Sequence, residues 1–153
     1  MTTAVANKKA QLDSIKLSFP EETYNSQVKQ KLALLDQLTG LVVEIQKTGS
    51  GKGIVASYRL AIEAYESFGN EIMNFAPEGK GPEYVTSFKK AMSNVYTPIL
   101  QNAKAQRAEV KKLIESNKIL SENNSAVMWG SDPLSRFYQA KQPVTLMDRG
   151  GKR

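Results

Sequence analysis

Residues 83–120 read EYVTSFKKAMSNVYTPILQNAKAQRAEVKKLIESNKIL, and their apolar positions recur at helical spacing: Tyr84, Phe88, Met92, Val95, Ile99, Ala103, then Val110, Leu113 and Ile114. Steps of three and four place these side chains on one stripe of an α-helix. A stripe of that length has to be buried against something. The spacing therefore predicts a long helix over 83–120, with its partners upstream.

Two preceding segments carry matching stripes. Between Glu21 or Glu22 and Lys47 the stripe is Tyr24, Val28, Leu32, Leu35, Leu38, Val42 and Ile45, with Leu34 and Leu41 on a second face. Acidic residues just after Pro20 suit the positive end of a helix dipole. Apolar residues on two faces imply more than one neighbour. Gly40 inside this helix costs about 1 kcal/mol relative to alanine, which points to a close helix crossing there. From about Ile54 to Asn74 the stripe is Val55, Tyr58, Ile62, Tyr65, Phe68, Ile72 and Phe75, with Ala56, Ala61 and Ala64 allowing close approach. Arg59, Glu63, Glu66 and Glu71 lie off it. The expected fold is all-α, an antiparallel bundle of three long helices over 21–120, with an N-terminal arm and strap over 1–20 and a C-terminal extension over 121–153.

The connections support this reading. Thr48-Gly49-Ser50-Gly51-Lys52-Gly53 looks like a fragment of a phosphate-binding loop, but Gln46 stands where that signature needs glycine and Gly53 where it needs Ser or Thr. A helix, not a strand, runs into it. The stretch is read as a helix-helix connection in which glycine supplies a positive backbone angle. Two prolines and two glycines break the pattern between Ala76 and Pro82, so Pro82 sits in the first turn of the third helix. Pro98 removes one backbone hydrogen bond from that helix and is expected to bend it.

At the N-terminus, Thr2 to Gln11 is small and polar and reads as a frayed arm or a short helix. Ile15, Leu17 and Phe19 alternate with Lys16 and Ser18 ahead of Pro20, which predicts an extended strap across the helices. Beyond the third helix, Ser121 to Ser125 reads as a loop. Met128, Trp129, Leu134, Phe137 and Tyr138 suit a short helical piece docked on the bundle, with Trp129 as its packing anchor. Gln142 to Arg153 is expected to be mobile or to engage something outside the chain.

Composition removes whole classes of chemistry. The chain of 153 residues is one domain on size, 41% hydrophobic and 24% charged. It has no Cys and no His, so it offers no thiol nucleophile, no disulfide, no imidazole base and no ordinary zinc site. No cofactor or metal is expected. The net charge of +6 comes from 21 basic residues interspersed with 15 acidic ones, not from a block. No run approaches the roughly 18 apolar residues of a membrane span, and Met1 to Lys9 lacks the apolar core of a signal peptide. The chain is then either cytoplasmic or the product of a longer one that has lost an export signal or a preceding region.

The run from Gly49 through Ile54, Tyr58, Arg59 and Leu60, followed by Ala64-Tyr65-Glu66-Ser67-Phe68, resembles a recurring unit of large tetratricopeptide-type proteins of the cell envelope in predatory and gliding bacteria. Pro77 and Pro82, then Tyr84 and Phe88, then Pro98 with Ala103 and Ala105 continue that likeness over residues 12–120. The resemblance implies a helical repeat scaffold, periplasmic or attached to the outer membrane within a multiprotein assembly, with further repeats preceding Met1 and only indirect membrane association. The loop after Asn74 is too long and the third helix too extended for the general tetratricopeptide pattern. At most one degenerate repeat pair is present.

The function expected is a non-enzymatic protein-protein interaction scaffold, with partner-binding candidates Tyr58, Arg59, Tyr65, Lys104, Arg107, Lys111 and Lys112. For Tyr58 and Tyr65 two readings compete: core residues with hydroxyls at the edge, or the lining of a groove for a partner peptide. The alternative function is an adaptor for an anionic polymer or membrane surface. It would use Lys104, Arg107, Lys111 and Lys112 on one face of the third helix, with Lys89 and Lys90. Nucleic acid is not expected as a partner, because aromatic interleaving is missing from that face.

Overall fold

The computed structural model describes residues 2–129. Among them the fold is all-helical: α1 spans Thr2–Ser14, α2 Glu21–Lys47, α3 Gly51–Asn74, α4 Pro82–Asn117 and α5 Asn124–Trp129. The side chain of Trp129, the docking expected of Leu134, Phe137 and Tyr138, and the tail from Gln142 lie outside the described residues.

The boundaries follow local chemistry. α2 opens after Pro20 with Glu21 and Glu22 in its first turn and ends at Thr48, whose hydroxyl donates to the Ile45 carbonyl at 2.7 Å. Gly49 takes a positive φ of 71° in the turn, as a tight helix connection requires. α3 starts earlier than its apolar stripe because Ser50 is the cap: its Oγ accepts the Gly53 N–H at 3.3 Å. α4 continues through Pro98 and stops three residues short of Leu120. Lys118 there adopts left-handed angles, φ 49° and ψ 44°, and the Ile119 N–H closes onto the Ile114 carbonyl at 3.1 Å. For a residue other than glycine that conformation costs about 1 kcal/mol.

All the other helices pack on α3, which buries ten residues, among them Val55, Ile62, Phe68 and Ile72. The pairs Tyr24 with Phe75, Thr39 with Tyr65 and Gln46 with Tyr58 show that α2 and α3 run antiparallel. Phe75 against Phe88 and Glu66 against Arg107 show the same for α3 and α4. The stripes read from sequence are buried or half-buried, except that on α2 Lys31 takes the core place read for Leu32. Of the frayed arm and the short helix read for Thr2 to Gln11, the structure has the helix. α1 is a full helix on α2 and α3, with Val5 and Leu12 wholly buried, which gives α2 the second neighbour that Leu34 and Leu41 called for. Residues 15–19 then run as the extended strap, Ile15, Leu17 and Phe19 half-buried and Lys16 and Ser18 exposed.

The close helix crossing is at Gly69, not at Gly40. A Cβ built on Gly40 meets nothing within 4 Å, whereas one on Gly69 would lie 2.6 Å from Leu100 Cδ2 and 2.8 Å from its Cγ. Only a bare Cα lets α4 cross α3 at this depth. Substituting alanine should therefore act in opposite directions: Gly40→Ala stabilises by up to about 1 kcal/mol, and Gly69→Ala destabilises by about 1–3 kcal/mol. Denaturant unfolding of the two variants checks this, and equal effects would place the crossing elsewhere.

Candidate functional site

Lys31 is the one charged side chain taken fully into the core of the described residues, 2% exposed. It stands on the buried stripe of α2 between Val28 and Leu35. Its Nζ donates to the Ile15 carbonyl at 3.0 Å, pairs with Glu71 Oε2 of α3 and lies 5.0 Å from the Phe68 ring centroid. Glu71 Oε1 accepts the Leu17 N–H at 3.2 Å. One ion pair thus ties α2 to α3 and holds the strap on both by its backbone. Beside it Phe19, Tyr24, Phe75 and Phe88 pack ring on ring at 4.8–6.0 Å between centroids, with Tyr84 stacked on Phe88 at 6.4 Å. The Tyr24 hydroxyl is buried there and has no hydrogen-bond partner among the described residues. Burial first, and then the Glu71 carboxylate, push its pKa up to about 12. Tyr84 donates to Glu21 Oε2 at 3.0 Å, and that hydrogen bond is the chief cause raising its pKa above the usual phenol value.

The candidates named from sequence divide into three groups. Tyr58 and Tyr65 are core residues, 3% and 6% exposed, so both rings serve packing first. The Tyr65 hydroxyl shares a 2.8 Å hydrogen bond with Thr39, and Tyr58 accepts from Gln46 Nε2. Burial, followed by the Glu109 carboxylate, raises the Tyr58 phenol well above its ordinary value. Both tyrosines are buried because α3 is covered from two sides.

Arg59 and Arg107 come together around a cavity of about 240 Å³ between α3, α4 and α5, lined also by Ile62, Glu63, Glu66 and Val127. Arg59 donates to Glu63 at 3.0 Å and to Asn123 Oδ1 at 2.8 Å. Arg107 donates to Glu66 at 2.6 Å and to the Val127 carbonyl at 2.6 Å. Lys104 and Lys112 are exposed on α4 and Lys111 is half-buried. The basic face is accordingly broken at its middle: Arg107 turns inward to an acidic residue and to the end of α5.

A second concavity lies between α2 and α4. Among the described residues no Cα of α2 comes within 8 Å of one in α4, because both helices rest on α3. The furrow of about 180 Å³ is walled by Leu32, Leu35, Asp36, Pro98, Ile99 and Asn102, and Tyr65 contributes to its floor. No group of three or more acidic residues fit to hold a metal occurs among the described residues, and none of their helices is long and apolar enough to cross a membrane. The chain matches no protein-family model, and neither the curated proteins nor the solved structures contain a match.

Sequence reasoning passed over Lys31 and Glu71, although a signal was present. Positions 24, 28, 31, 35, 38, 42 and 45 form an unbroken heptad on α2 in which Lys31 alone is polar. Leu32, counted in its place, is only half-buried.

Two outcomes follow. Glu71→Ala leaves the Lys31 ammonium buried without its carboxylate and should cost about 3 kcal/mol; adding Lys31→Met should recover part of that loss in a double-mutant unfolding cycle. The raised pKa of Tyr24 has a definite sign. Its contribution to stability is complete below pH of about 10, where the unfolded phenol is still protonated, and is lost as pH rises toward about 12. Tyr24→Phe should flatten that part of the alkaline decline and, by removing an unpaired buried hydroxyl, raise stability at neutral pH by about 1 kcal/mol. Unfolding midpoints measured from pH 7 to 12 check both.

Proposed function

We propose that this chain is a non-enzymatic protein-interaction module that receives the anchor side chain of a partner segment in the furrow between α2 and α4. The observation that carries the reading is the separation of those two helices over α3, which leaves a trough walled by Leu32, Leu35, Pro98 and Ile99 together with the polar Asp36 and Asn102. Helical recognition surfaces commonly take this form, with a segment lying in a groove between neighbouring helices. Two ion pairs among the described residues join one helix to another, Lys31 with Glu71 and Arg107 with Glu66, which suits a scaffold.

The resemblance to tetratricopeptide-type envelope proteins belongs to the same proposal. In it, α2 and α3 form a degenerate repeat pair, the partner is a protein of a periplasmic or outer-membrane assembly, and further repeats precede the chain. Binding of an anionic polymer through α4 is the less favoured reading, because Arg107 is held by Glu66 and by α5.

The test is affinity capture on the immobilised full-length chain at low and high salt, run beside Asn102→Trp, which fills the furrow from its exposed rim, and beside Lys104→Glu/Lys112→Glu. The expected result is a defined set of proteins retained at both salts, reduced about tenfold by Asn102→Trp and unchanged by the double charge reversal. Capture of polyanions alone, lost at high salt and abolished by the charge reversal, would overturn the reading.

A further inference from the structure

A wide cleft of about 800 Å³ lies where the strap meets the starts of α2 and α4. Phe19, Pro20 and Tyr84 supply its apolar wall, and Glu21, Glu22 and Glu78 line it with carboxylates against the single ammonium of Lys80. The cleft is thus acidic on a chain whose net charge is +6. The long-range field of such a chain repels cations, so a cation held here is held by the cleft itself.

The carboxylates are not committed to the fold. Glu21 takes the Tyr84 hydroxyl at 3.0 Å, while Glu22 and Glu78 are exposed and have neither an ion pair nor a hydrogen bond among the described residues. The three do not converge as the ligands of one metal ion would. Spread carboxylates beside an aromatic wall suit instead an extended organic cation. The chain itself displays that chemistry: Lys80 Nζ lies over the Tyr84 ring, 5.2 Å from its centroid, and the ring is held in place by stacking on Phe88 and by its bond to Glu21. The Lys80 ammonium stands at the end of an exposed, flexible four-carbon stem and is easily displaced.

We propose that this cleft binds a linear polyamine or a run of basic side chains, one primary ammonium replacing Lys80 over Tyr84 and the next pairing with Glu22 or Glu78. The apolar stem between the charges lies along Phe19 and Pro20. The cleft shares no residue with the furrow between α2 and α4, so the proposal stands independently of the partner reading.

The experiment is isothermal titration calorimetry of the full-length chain at physiological ionic strength, with spermidine, a pentalysine peptide and Mg²⁺ as separate probes and circular dichroism confirming the helicity of each variant. The expected result is saturable 1:1 binding of spermidine, the peptide or both, and which of them binds names the source of the ammonium groups. Tyr84→Leu and the double variant Glu22→Gln/Glu78→Gln should each weaken it about tenfold, and Lys80→Gln, which clears the ring, should tighten it about threefold. Lys52→Gln, which removes the same charge at the opposite end of α3, should leave it unchanged. No saturable binding of either polycation, equally tight binding of Mg²⁺, indifference to Tyr84→Leu or to the double glutamine variant, or equal effects of Lys80→Gln and Lys52→Gln would each overturn it.

Discussion

α3 is apolar on more than one face, and the rest of the fold is the cover it requires. A helix with Val55, Ile62 and Phe68 in one run and Ala61, Ala64 and Gly69 in another cannot leave either side in water. α1 and α2 close one side and α4 closes the other. The small residues set how deeply they settle, Gly69 most of all, since Leu100 occupies the space a Cβ would take. Because α2 and α4 are each committed to α3, they are held apart from one another, and the furrow between them is a geometric by-product of burying the central helix.

Two charged pairs in this fold act as ties between elements. The Lys31–Glu71 pair is placed where an extended segment, with no strand beside it among the described residues, still has to be held, and it does so by offering a donor to Ile15 and an acceptor to Leu17. Burying an ammonium carries a desolvation cost that the pair itself barely offsets. Both strap contacts, the Ile15 carbonyl on Lys31 and the Leu17 N–H on Glu71, are made together in the one register this structure has. Arg107 plays the corresponding part at the other end of the bundle, where it joins Glu66 of α3 to the carbonyls of α5. Its charge is thereby withdrawn from the face it would otherwise share with Lys104 and Lys112.

How far the sequence could be read depended on the range of the interaction. The long helices were legible because periodicity, Pro20, Gly49 and Pro82 act within a few residues of themselves. The strap was legible because alternation ahead of a proline is also local. Gly40 misled because a glycine costs a helix the same wherever it lies, and nothing in the sequence tells a crossing from an open flank. Tyr58 and Tyr65 read as core residues first and as groove lining second, and their burial in the packed bundle agrees with the core reading.

The sequence by itself determined the all-helical class, the three long helices and which stripe of each is buried, since backbone propensity and hydrophobic spacing settle these before any two helices meet. Tertiary structure alone decided which stripe faces which, that Lys31 finds Glu71 forty residues away, and that Arg107 turns inward. Those outcomes depend on crossing angles set by the volume of side chains such as Leu100 against Gly69, and volume acts only once helices distant in sequence are in contact.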